Sequence, residues 1–262
     1  MAASQHFVFP NLRTVAASRP FSWIAAGAAD FGANPPASLF YGACFAGMGW
    51  VLNLVFNNAV QYTSGLTMGF LLVGPLLAIG LYDLSRQRES GVNPTLAHSI
   101  VAWRSNIGAI GIYVLIVTVL FLLWARASLV AFALFYTQDM PTMAGFLKQV
   151  VSLENYEFLV AYFAVGLIFA TLVFAISVVS IPYLLDAQVD AVTAAAASVV
   201  ALARNPKAMM VWAGLIVTST FIGFETAYLG LAITVPLVGH ASWHAYRELV
   251  EHVAPVAGTP GE

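Results

Sequence analysis

Apolar stretches without a single charge dominate this chain, and their lengths match what a bilayer demands. No Asp, Glu, Lys or Arg falls between Asp30 and Asp83, a run of 52 residues. Further charge-free runs occupy 105–125, 158–185, 208–224 and 226–246. A helix needs roughly 20 apolar residues to cross the ~30 Å hydrocarbon core. The first run holds two crossings and each later run one, at 37–56, 63–82, 106–125, 158–183, 208–225 and 226–245. The pattern therefore predicts an all-α polytopic membrane protein with six transmembrane helices.

The polar positions between these runs suggest a repeat. Asn34, Asn106 and Asn205 each directly precede an apolar span, and each follows a short amphipathic stretch, at 21–31, 95–103 and 189–203. The second span of each unit carries a proline toward its inner half. Gly69, Pro75, Leu76 and Tyr82 align without a gap on Gly230, Pro236, Leu237 and Trp243, and Pro182 marks the weaker middle copy. The predicted unit is an interfacial helix followed by two spans, three times over. With two spans per unit all copies share one orientation, as parallel repeats about an axis along the membrane normal do. Asn before Pro suits a helix start: Asn caps, and Pro loses nothing at the first turn. Pro75, Pro182 and Pro236 are expected to kink their helices.

Composition adds to this picture. The chain is 60% hydrophobic and 8% charged, against about 25% charged in soluble domains. A net charge of −2 and the lack of a Lys/Arg-rich tract give no sign of nucleic-acid binding. With Cys44 as the only cysteine, disulfide frameworks and Cys-based metal centres within one chain are excluded. The first 20 residues contain no apolar run of signal-peptide type, so the N-terminus is expected in the cytoplasm. Eight cationic residues (Arg13, Arg19, Arg86, Arg88, Arg104, Arg204, Lys207, Arg247) fall on the N-terminal side and two (Arg126, Lys148) on the other. The positive-inside bias then puts both termini in the cytoplasm. The organisation read from this is a cytoplasmic segment at 1–19, a single transmembrane domain at 20–250 and a disordered tail at 251–262.

Candidate chemistry is sparse. Glu225 stands at the joint of the last two spans, where a tight external turn at 223–226 is expected; as an intramembrane carboxylate it would instead mark a substrate pathway. Asp83 and Asp186, at the inner ends of their spans, are the other pathway candidates. His240 and His244, four residues apart, share one helix face and are the candidate metal ligands. Asp83, Asp190 and His244 each lie eight residues beyond a helix proline, so a three-fold arrangement would ring the inner mouth with them, His98 nearby. No cofactor is implied, and no phosphate loop, nucleophile elbow or His-Glu-x-x-His motif occurs, so no enzyme activity is expected. The aromatic residues Trp23, Trp50, Tyr62, Tyr82, Trp103, Trp124, Trp212 and Trp243 read as interfacial belts. The insertion at 126–156 reads as an outer amphipathic hairpin, a docking surface for other membrane subunits.

Arg19-Pro20-Phe21-Ser22-Trp23-Ile24 with Gly27, Asp30 and Asn34-Pro35, together with Gly74-Pro75-Leu76-Leu77-Ala78-Ile79-Gly80-Leu81-Tyr82 and Ser85-Arg86, resembles a family of bacterial integral membrane proteins. That family is catalogued as domain of unknown function 2189, and the resemblance extends over 20–250. It implies the bacterial inner membrane and carries no activity or catalytic residue with it. Two functions stay open. One is a non-catalytic accessory or assembly subunit of a larger membrane complex, such as a respiratory one. The other is a small transporter or channel for an ion, lipid or small hydrophobic solute.

Overall fold

The computed structural model describes residues 10–59, 62–135 and 155–251. Helices account for all the regular structure there, apart from one antiparallel bridge between Leu12 and Val250. In chain order they are α1 (Arg19–Ala33), α2 (Pro35–Asn58), α3 (Thr63–Glu89), α4 (Leu96–Val101, running into a 3-10 turn Ala102–Asn106), α5 (Ile107–Phe135), α6 (Tyr156–Ser177), α7 (Ser180–Asp186), α8 (Ala191–Arg204), α9 (Pro206–Glu225) and α10 (Leu231–Leu249). Among the described residues four segments are long and apolar enough to cross a membrane: Pro35–Asn58, Leu96–Phe135, Tyr156–Asp186 and Pro206–Glu225. α3 and α10 have 27 and 19 residues but end in the charged and polar runs Asp83–Glu89 and His240–Glu248, which lower their apolar character.

The chain forms two compact units, one of residues 1–113 and 175–262, the other of 114–174. In the larger unit α10 is the hub, packing on α1, α2, α3, α7 and α9. Close backbone approach makes this possible. A methyl group on Gly27 would lie 2.7 Å from the Ala241 amide, and one on Gly42 2.7 Å from the Ala232 carbonyl carbon. Each short helix packs on the long-helix end that precedes it in a cyclic order: α4 on α3, α8 on α7, and α1 on α10. The smaller unit holds the C-terminal part of α5 and most of α6, where Phe158 is 1% exposed and meets Phe132 edge-on at 5.8 Å.

Several expectations need correction. The N-terminal Asn residues do not all cap. Asn34 accepts from the Ala37 amide, while Asn205 makes no cap and instead accepts from the Val15 amide and donates to the Arg13 carbonyl. Their amides share a different task. Asn34 reaches the Pro94 carbonyl, Asn106 that of Val189 and Asn205 that of Arg13. Each therefore binds the chain just ahead of the next short helix, and the third closes the circle on the first. Pro182 breaks its helix rather than kinking it. α6 ends at Ser177 and α7 starts at Ser180, because proline lacks the N–H and its ring clashes with the preceding turn. Ser198 of α8 bridges the gap, donating to the Ala175 carbonyl (2.7 Å) and accepting from the Val179 amide (3.5 Å). Pro75 and Pro236 lie within unbroken helices.

Residues 127–135, expected to open an outer hairpin, instead continue α5 as helix; residues 136–154 lie outside the described residues. The turn after α9 is displaced to 226–230. There Ala227 and Tyr228 take positive φ (52° and 66°), and the Thr226 hydroxyl accepts from the Gly230 amide. Three of the expected belt aromatics face the core: Trp23, Trp212 and Trp243 are 2%, 1% and 1% exposed. Trp23 and Trp212 meet edge-on at 5.7 Å, and the indole N–H groups of Trp23 and Trp243 reach carboxylates. An indole with a partner can be fully buried. Trp50 and Tyr62 stay outward.

Candidate functional site

The C-terminal turns of α3 and α10, the start of α2, and the short helices bring a layer of charged and polar side chains together in the larger unit. Asp83, in the last turns of α3, meets side chains of the same helix and of the short helix α4. Asp83 is fully buried and accepts from Arg86 (Nε, 3.1 Å), Gln87 (2.7 Å) and His98 Nδ1 (2.6 Å), with a further bond from the Arg86 Nη2. That fills the roughly four lone-pair sites of a carboxylate. Gln87 extends the node, accepting from the Thr95 amide at 3.0 Å.

Asp30 of α1 forms a second node. Its two oxygens engage Arg88 and His244 Nε2, the latter at 2.8 Å. Burial alone would raise the Asp30 carboxyl, but hydrogen bonds from His244, Ser85 and Arg88, with the charge of His244, outweigh it and hold the group below the usual carboxylate range. His240, 1% exposed, lies between two serines, its Nε2 2.9 Å from the Ser38 hydroxyl and its Nδ1 2.8 Å from that of Ser85. With the Ser38 hydroxyl turned from the Asn34 carbonyl (3.0 Å) to Nε2, Nδ1–H donates to Ser85 and Ser85 to Asp30. His240, Ser85, Asp30 and His244 are then one connected chain.

The third node ties α10 to α3 and α7. Arg247 donates to Glu89 (2.8 Å) and Asp186 (3.3 Å), Trp243 donates to Glu89 (2.8 Å), and the Tyr246 hydroxyl to Asp186 (2.8 Å). Toward the N-terminus, Glu248 accepts from Arg19 (2.6 and 3.0 Å) and from the Trp23 indole (2.6 Å).

The residues singled out from sequence thus fall in different places. Asp83 and Asp186 lie in this layer but in separate nodes. Glu225 is exposed at the far end of α9, next to the 226–230 turn. His240 and His244 share the α10 face, yet their ring nitrogens engage serines and Asp30. Among the described residues no group of three or more His, Cys, Asp or Glu side chains is arranged to hold a metal ion. Asp190, part of the expected ring, caps α8 instead; bonds from the Thr193 hydroxyl and amide lower its carboxyl.

Sequence reasoning missed Ser38, Ser85, Glu89 and Glu248. Serines carry no periodic signal, but Glu89 and Glu248 had one: each sits beside the positive charges counted for topology. Those arginines serve within the fold as partners of the carboxylates.

Neither a curated protein nor a solved structure matches the chain. Over residues 62–186, from α3 through α7, it matches the family described as predicted integral membrane protein (DUF2189), the family its sequence resembles, and it is an integral membrane protein.

Proposed function

We propose that this protein is a non-catalytic subunit of the bacterial inner membrane that acts by association, as an accessory or assembly factor of a larger membrane complex. The observation that carries this reading is that the carboxylates and the buried imidazole of its polar layer all have partners. Asp30, Asp83, Glu89, Asp186 and Glu248 each accept from a neighbouring side chain, and both nitrogens of the buried imidazole of His240 engage hydroxyls. Partnered carboxylates and a partnered imidazole rigidify a fold, and they leave little for a substrate to protonate. Ion-coupled carriers, in contrast, keep ionisable groups available near the midplane.

In the same reading the chain crosses six times, with both termini cytoplasmic, as three parallel copies of a short helix and two spans. Support comes from the cyclic order in which α1, α4 and α8 pack and from the three Asn-to-carbonyl bonds that follow the same order. Further support lies seven residues to either side of each Asn. Small buried residues (Gly27, Ser99, Ser198) precede it and buried aromatics (Tyr41, Tyr113, Trp212) follow it.

The test is purification of the tagged protein from its native membrane in mild detergent, with mass spectrometry of what co-purifies. A stoichiometric membrane partner is expected. Recovery of the chain alone would sink the subunit reading and leave the small transporter or channel. Cysteines placed along α3, α6 and α10 in a Cys44→Ala background would then show water access at mid-depth.

A further inference from the structure

We infer that a cleft between α1 and α10 binds the phosphate of an anionic lipid headgroup. The cleft has a volume of about 460 Å³, within the range of small-ligand sites. One wall is the α1 face bearing Arg19 and Trp23, the other the α10 face bearing His244, Arg247 and Glu248, and Arg13 of the N-terminal segment closes it. The lining carries three guanidinium groups against one carboxylate.

Those guanidiniums retain donors. Among the described residues, of five N–H groups each, Arg13 uses one on Glu251 (3.3 Å), Arg19 two on Glu248, and Arg247 one each on Glu89 and Asp186. Glu251, Glu89 and Asp186 stand outside the cleft lining. They balance part of the charge without filling the space, so an anion entering the cleft meets N–H groups that no described carboxylate takes up.

The lipid source follows from the other side of α1. Its outward positions Phe21, Ala25, Ala28 and Ala29 are apolar and exposed, Phe21 at 59%. An exposed apolar stripe on an amphipathic helix of a membrane protein belongs at the boundary of headgroups and acyl chains. A basic pocket opening beside that stripe lies at headgroup depth, where such pockets hold acidic lipids.

The test uses the full chain in neutral detergent, titrated with dioleoylphosphatidylglycerol or dioleoylphosphatidylcholine and read by native mass spectrometry. Phosphatidylglycerol should saturate at one per chain and outcompete phosphatidylcholine. Arg13→Gln should weaken it about fivefold, the worth of one cation near a membrane surface. Glu251→Gln should tighten it, because it frees Arg13. Both variants break the same ion pair, so an effect through stability alone would move both the same way. That outcome, or equal retention of the two lipids, overturns the inference. Displacement of the lipid by millimolar inorganic phosphate would assign the cleft to a free anion and overturn the lipid assignment.

Discussion

Gly42 offers a demanding test of how the hub helix is seated. A methyl group there would overlap the Ala232 carbonyl oxygen and lie 2.7 and 2.8 Å from the carbonyl carbon and Cα of the same residue. Carbon atoms settle at about 3.5–4.0 Å, so α2 and α10 would have to part by roughly 1 Å. The obstacle is backbone, which cannot rotate away, so the overpacking cost falls near the upper end of the usual range, about 3 kcal/mol. Alanine returns up to about 1 kcal/mol through its better helix propensity. A net loss of about 2 kcal/mol corresponds to a drop in Tm of about 4–8 °C for a chain near this size. Gly47, on the same helix, faces open space, so Gly47→Ala should leave Tm unchanged or slightly raised. Thermal unfolding in detergent can be followed with a thiol-reactive dye, since the half-buried Cys44 is the only cysteine. Equal melting of the two variants would refute the α2–α10 packing.

Other outcomes follow from the polar layer and the helix break. Asp30→Asn keeps the shape of the side chain but removes the charge facing Arg88 and His244; with Asp30 buried and Arg88 42% exposed, the loss should be about 2 kcal/mol, between surface and buried pairs. Because folding lowers the Asp30 carboxyl, its contribution is full above the unfolded value near pH 4 and fades as pH falls through the lower folded value. The Tm gap between wild type and Asp30→Asn should hold steady from pH 7 to about 5 and close on further acidification; a gap that widens in acid would contradict the assignment. Ser198→Ala should strand the Val179 amide and the Ala175 carbonyl, costing about 1–3 kcal/mol, and hydrogen exchange at residues 178–181 should accelerate. In a Cys44→Ala background, cysteines at Arg104 and Glu225 should react with a membrane-impermeant maleimide from opposite faces; labelling from one face would refute the six-crossing arrangement.

The sequence by itself determined the membrane, the positions of the long helices and the alternation of short helix with long. These follow from local quantities: the length of charge-free runs, and Asn or Pro where helices begin. α2, α3, α5, α6, α9 and α10 all lie where the apolar runs placed spans. The recurrence of Asn34, Asn106 and Asn205 was also legible, but their task was not. A cap is a local interaction, whereas a bond from Asn205 to Arg13 joins residues about 190 apart.

Only the tertiary structure decided which polar residues meet. Counted along the chain, Arg88 and Arg247 are topological charges and His240 and His244 a ligand pair. Folding sets Arg88 on Asp30, Arg247 across Glu89 and Asp186, and His240 between two serines. Burial of charge is tolerable only with such partners, and partners from separate helices carry no common spacing in the sequence. Trp23, Trp212 and Trp243 were misread for the same reason. An indole at the end of a span has the same composition signal whether it faces lipid or core, and the carboxylates that let Trp23 and Trp243 turn inward come from elsewhere in the chain.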